Sequence, residues 1–97
     1  MATSQGTVTL DFGAYPGSNE ASVAVIGQSN IVGTANAEAY VMASDSTGDH
    51  TENDHRYFPL FAALTCGNIS VGVGFTIYAT SAEKLQGQFI VHWVWAD

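Results

Sequence analysis

Apolar side chains recur at every second position in several short runs, and clusters of Gly, Ser, Asn and Asp separate the runs. This spacing suits extended strands, and helical periodicity is nearly absent. Thr7 to Phe12 is the clearest case, with Val8, Leu10 and Phe12 on one face and Thr7, Thr9 and Asp11 on the other. Gly13 to Asn19 punctuates the chain, because Pro16-Gly17 suits the centre of a type II turn. Ala21 to Ile26 and Ala37 to Ala43 are further strands, divided by Ser29-Asn30 and Gly33 to Asn36. Ser44 to His55 has no apolar anchor and reads as a long surface loop. Tyr57 to Leu64 reads as a strand or one irregular turn, and Pro59 limits any strand there to an edge. Leu64 to Cys66 and Asn68 to Val73 are short extended pieces broken by Gly67, Gly72 and Gly74. Phe75, Ile77 and Ala79 alternate with Thr76, Tyr78 and Thr80. Ser81 to Lys84 reads as one helical turn, with Gly87 closing it before the last strand. That last run, Gln88 to Ala96, puts Phe89, Val91, Trp93 and Trp95 on one side and Ile90, His92 and Val94 on the other.

Short strands without crossover helices pair antiparallel, and the resulting sheet must close or double over to hide its apolar face. The expected fold is therefore all-β: a single antiparallel β-sandwich, jelly-roll-like, with at most one short helical turn. With 97 residues the chain has room for one core. The sandwich is expected over residues 7–97, with residues 1–6 as a flexible N-terminal arm.

Composition narrows the function. Charged residues make up only 11 % of the chain, against about 25 % in ordinary soluble domains. A surface so poor in charge fits one that partners cover. Arg56 and Lys84 stand against nine acidic residues, for a formal charge of −7. Binding nucleic acid requires several cations to displace phosphate counterions, so nucleic acid is not an expected partner. The same balance disfavours an anionic membrane surface, and no apolar run reaches the roughly 18 to 20 residues of a spanning helix. Met1 to Gly6 lacks the positive start and apolar stretch of a secretory signal. The single Cys66 can form no internal disulfide, which suits synthesis in a reducing cytoplasm.

Candidate chemistry concentrates in Asp49-His50-Thr51-Glu52-Asn53-Asp54-His55, where two Asp-His pairs lie close to Asp45. Asp49, His50, Asp54 and His55 are conceivable ligands for a divalent metal. The segment lacks the Gly-centred spacing of a calcium loop and the Cys or helical His spacing of zinc motifs, so a solvated loop with local turn bonds is expected. Cys66 lies beside Gly67 in an apolar stretch with no His coupled to it by a signature, and no phosphate loop, nucleophile elbow or dinucleotide fingerprint occurs. No cofactor is implied, and catalysis is not expected. Trp93 and Trp95 could stack on sugars if their face were open, but with Phe89 and Val91 they would then form an aggregation-prone patch, so core or interface burial is expected. Trp93, Trp95, Tyr57, Phe58 and His55 are the expected interface residues.

Asp11-Phe-Gly-Ala-Tyr-Pro-Gly-Ser-Asn-Glu-Ala-Ser-Val-Ala-Val25, Asp49-His-Thr-Glu-Asn-Asp-His-Arg-Tyr57, Gly74-Phe-Thr-Ile-Tyr-Ala79 and Trp93-Val-Trp-Ala-Asp97 together resemble a family of small virion-associated proteins. Tailed bacteriophages and prophages encode these proteins, and the similarity runs from about Thr7 to the C-terminus. The resemblance carries no catalytic residues. It implies a virion component made in the host cytoplasm, foremost a capsid decoration protein that binds the major capsid protein and associates with itself as a homotrimer or another cyclic oligomer. A tail or fibre-associated protein contacting tail proteins is the alternative. A carbohydrate-binding module for host attachment is a further one.

Overall fold

A computed structural model describes residues 3–14 and 16–97. Among the described residues, six strands form two antiparallel three-stranded sheets. β1 (Thr3–Asp11), β6 (Gln88–Ala96) and β3 (Asn36–Tyr40) form the first in the order β1-β6-β3. β2 (Ser18–Val25), β5 (Gly74–Leu85) and β4 (Ala62–Ser70) form the second in the order β2-β5-β4. One helix, α1 (Glu52–Phe61), lies between β3 and β4. The arrangement is an all-β sandwich, three strands to a layer.

Alternation explains the core. The inward face of the first sheet carries Leu10, Phe89, Val91, Trp93 and Trp95, and that of the second carries Val25, Phe75, Ile77 and Ala79, all buried. Phe75 meets Trp93 edge-on at 5.8 Å across the gap, one of the offset aromatic contacts that such cores favour. Ile31, in the loop between β2 and β3, is also buried in this core. The indole N–H of Trp95 donates to the side-chain oxygen of Gln28 at 2.9 Å, so this buried donor is satisfied. β5 and β6 are the middle strands of the two sheets, and only Gln86 and Gly87 join them. Gly87 holds φ at +77°, a value that most side chains resist, and a Cβ there would sit 2.8 Å from the Cβ of Asp49.

Several expectations are corrected. The arm does not extend to residue 6: Thr3 to Gly6 pairs with Trp93 to Ala96, completing the register of β1 with β6. Met1 and Ala2 lie outside the described residues. Ser81 to Lys84 is not a helical turn, because Ser81 pairs with Ala62 and Leu85 with Ser18, which carries β5 through to Leu85. Tyr57 to Phe61 is helical, and β4 starts at Ala62. The pieces around Gly67 form one strand, in which Asn68 adopts φ +53° at a register shift. The turn before β2 closes with the Gly17 N–H donating to the Ala14 carbonyl, one residue earlier than a turn centred on Pro16-Gly17 would close.

Gly6 lies opposite Trp93, and a Cβ at this position would come within 2.7 Å of the indole Cζ2. Trp93 is buried and cannot withdraw. Gly6→Ala should therefore destabilise the fold by about 1–3 kcal/mol, the usual cost of overpacking, measured as a lower urea midpoint with unchanged slope.

Candidate functional site

The polar segment after β3 has a structural task that its composition conceals. β3 pairs only with His92 to Ala96, so β6 runs on toward Gln88 with one side unpartnered. The segment supplies side chains where strand backbone would have been. Thr47 Oγ1 donates to the Gln88 carbonyl at 2.7 Å, and the Gln88 N–H donates to Asp49 Oδ2 at 2.9 Å. The Ile90 N–H donates to His55 Nε2 at 3.0 Å. His55 is fully buried, and its Nδ1 lies 3.0 Å from the Thr51 carbonyl. An acceptor role at Nε2 places the proton on Nδ1, which fixes the neutral tautomer.

Helix α1 delivers His55 to that position. Thr51 caps it: its Oγ1 accepts from the Asp54 N–H, and Asp54 Oδ2 accepts from the Thr51 N–H. Glu52 and Asp54 in the first turn also suit the positive end of the helix dipole. His55 and Phe58 are its buried residues. Both reach Phe89, which also meets Phe12 and lies stacked under the His50 ring at 3.9 Å. Pro59 donates no N–H, yet it stands late enough for Ala62 to close the helix on the Phe58 carbonyl.

The four candidate metal ligands are thus committed to hydrogen bonds within the fold, with His50 and Asp54 bonded to each other. Asp49 holds Gln88 and His55 holds Ile90. His50 lies between Asp54 Oδ2 at 3.1 Å and the Gln86 carbonyl at 2.5 Å. Asp54 caps the helix. Among the described residues, no group of three or more His, Cys, Asp or Glu side chains is placed to hold a metal ion. The Thr51 N–H, followed by His50, holds the Asp54 carboxyl below its ordinary range. Burial pushes the Cys66 thiol up, and the charge of Glu38 adds to this, the opposite of what activates a nucleophile.

Sequence reasoning missed one polar constellation. His92, on the outer face of the first sheet, brings Nε2 to 2.5 Å from Asp45 Oδ2, and Tyr40 stacks on its other side at 5.5 Å. Asp45 comes from beyond β3, so only the fold could reveal the contact. The pair pins the start of the polar segment over the sheet.

Trp93, Trp95, Phe58 and His55 are 7 %, 2 %, 3 % and 1 % exposed, so these four expected interface residues belong to the core. Pairing with β1 and β3 turns the indole face inward, and neither Trp93 nor Trp95 offers a platform for sugar stacking. Tyr57 alone of the five lies on the surface, and it has company: Tyr57, Leu60 and Phe61 are 47 %, 74 % and 45 % exposed. Their spacing places them on one side of α1. Tyr57 and Phe61 also line a cleft of about 130 Å³ with Leu85 and Phe89. Comparison with protein-family models, curated proteins and solved structures finds no match to the chain.

His55→Phe keeps the ring volume but leaves the Ile90 N–H without an acceptor. It should cost about 1–3 kcal/mol, and amide exchange at Ile90 should accelerate more than at Val91. The lowered carboxyl of Asp54 stabilises the fold above the ordinary carboxylate range, and that contribution is lost as pH falls through its folded value. The stability gap between wild type and Asp54→Asn should therefore be widest near neutral pH and close in acid, as followed by thermal melting.

Proposed function

We propose that this chain is a non-catalytic structural subunit that works by docking on other proteins, as a capsid decoration protein of a tailed bacteriophage. The observation that carries the docking role is the stripe of Tyr57, Leu60 and Phe61 on a helix whose opposite side is locked to β6. Large apolar groups held rigidly at the surface lose little entropy on binding and are typical contact anchors. Arg56 stacks over Tyr57 at 4.7 Å and donates to its hydroxyl, which stiffens the ring further. The phage assignment rests on the resemblance of the sequence segments, from Asp11 to the terminal Trp93-Val-Trp-Ala-Asp97, to small virion-associated proteins.

The absence of a catalytic role is supported by the state of the reactive groups. His50, His55 and His92 all spend ring nitrogens on contacts within the fold, and the Cys66 thiol is pushed up. A chain of charge −7 whose apolar anchors sit on one helix suits a protein surface better than nucleic acid.

Mass spectrometry of purified phage particles should find the protein at a copy number comparable with the major capsid protein. A few copies per particle would move it to the tail, and absence would remove the virion reading. In rebinding to particles made without it, Leu60→Asp should weaken attachment by about tenfold or more while leaving the circular dichroism spectrum unchanged. Undiminished binding would take α1 out of the contact.

A further inference from the structure

The three histidines of the chain differ in what a second ring proton would meet. His50 places Nδ1 3.1 Å from the Asp54 carboxylate and Nε2 2.5 Å from the Gln86 carbonyl. Both partners are acceptors, so an imidazolium there finds an oxygen for each N–H. His92 turns Nε2 to Asp45 Oδ2, and a carboxylate receives a proton on that nitrogen well. His55 is the exception. Its Nδ1 already faces the Thr51 carbonyl, and its Nε2 accepts from the Ile90 N–H at 3.0 Å. A proton added to Nε2 would set two N–H groups against each other, on a side chain buried too deeply for solvent to replace the lost acceptor.

The same contact fastens α1 to the first sheet. β3 pairs with β6 only from His92 onward, so the Ile90 N–H depends on the His55 ring. The helix is otherwise anchored by Phe58 against Phe89 and Phe12, contacts that carry no directional bond. Ionisable groups stand around the ring. Glu52, Asp54, Arg56 and Tyr57 share its helix, and Asp49 and His50 precede it. Among the strands packed near α1, β4 carries Cys66, β5 carries Tyr78, Glu83 and Lys84, β6 carries His92, and Asp11 ends β1. None of these is hydrogen-bonded to Nε2: Asp49 holds the Gln88 N–H, Asp54 holds the Thr51 N–H and His50, and His92 is held by Asp45.

We propose that His55 is an acid-operated latch: its neutral ring holds α1 on β6, and protonation at Nε2 frees the helix from the Ile90 N–H, uncovering Phe58 and Phe89 and releasing the Tyr57, Leu60 and Phe61 stripe from its fixed position. The ring supports the closed state only while Nε2 keeps its lone pair, so the contribution is present at higher pH and is lost as pH falls. Histidine changes charge between about pH 5 and 8, which sets the latch to work in a mildly acidic medium. It operates within the isolated chain and does not require that α1 dock on a partner.

Amide exchange followed by NMR on the intact chain, expressed as protection factors from about pH 8 to 5, tests the latch. Protection of the Ile90 amide should fall by about tenfold per pH unit, the slope that uptake of one proton gives. Val91, which pairs with Val8, should keep its protection. The His55 ring carbons should reach their protonated shifts only where the Ile90 protection is gone. His55→Gln, whose side-chain carbonyl accepts the Ile90 N–H without titrating, should abolish the slope, and His50→Gln and His92→Gln should retain it. Ile90 protection independent of pH, a protonated His55 ring beside a protected Ile90, a slope that persists in His55→Gln, or one that vanishes in His92→Gln would each overturn the proposal. Should His55→Gln not fold, the ring shifts and the Ile90 amide of the wild-type chain decide the matter together.

Discussion

The structure turns on how the long middle strand β6 is completed where its neighbour β3 stops. A backbone N–H or carbonyl left unpaired against the core would cost free energy comparable to a lost hydrogen bond. The chain meets the need with Thr47, Asp49 and His55, which occupy the positions a longer β3 would have filled. Much else is tied to that repair. His55 has to be held at a fixed height, which requires the helix and its Thr51 cap, and the helix in turn buries Phe58 against Phe89. Once that side of α1 faces inward, Tyr57, Leu60 and Phe61 face out.

The strands were legible because alternation at every second residue survives burial on one face. Val8-Leu10-Phe12, Phe75-Ile77-Ala79 and Phe89 to Trp95 read correctly for that reason, and the two-layer architecture follows from them. Helix α1 was not legible. It buries only two of its residues, and one of these is a histidine, so no apolar period marks it. Its capping box uses Asp54 where Glu or Gln is the usual signal. Pro59 then reads as a break although it falls late in the helix. The Asp-His segment misled for a related reason: the same oxygen and nitrogen atoms that ligate metals also accept and donate backbone hydrogen bonds, and composition cannot distinguish the two. The indole side of β6 reads equally as core or as interface because both faces of that strand are largely apolar. Which of them turns inward is set by β1 and β3, which lie far away in the chain.

Electrostatics and exposure divide the surface. Arg56 and Lys84, the only two side-chain cations besides histidine, lie next to residues of the cleft, Tyr57 and Leu85, whereas acidic groups are distributed over both sheets. Both cations thus lie beside the apolar stripe, together with Glu52 and Asp54 of the same helix.

The pairing of Thr3 with Ala96 closes the first sheet across nearly the whole length of the chain. That sheet cannot form until β6 has been made, because both β1 and β3 pair with it, and until then the second sheet has its apolar face uncovered. Such long-range closure is slow by nature. For that interval the exposed Val25, Phe75, Ile77 and Ala79 are kept from association chiefly by the charge of −7 that all copies share.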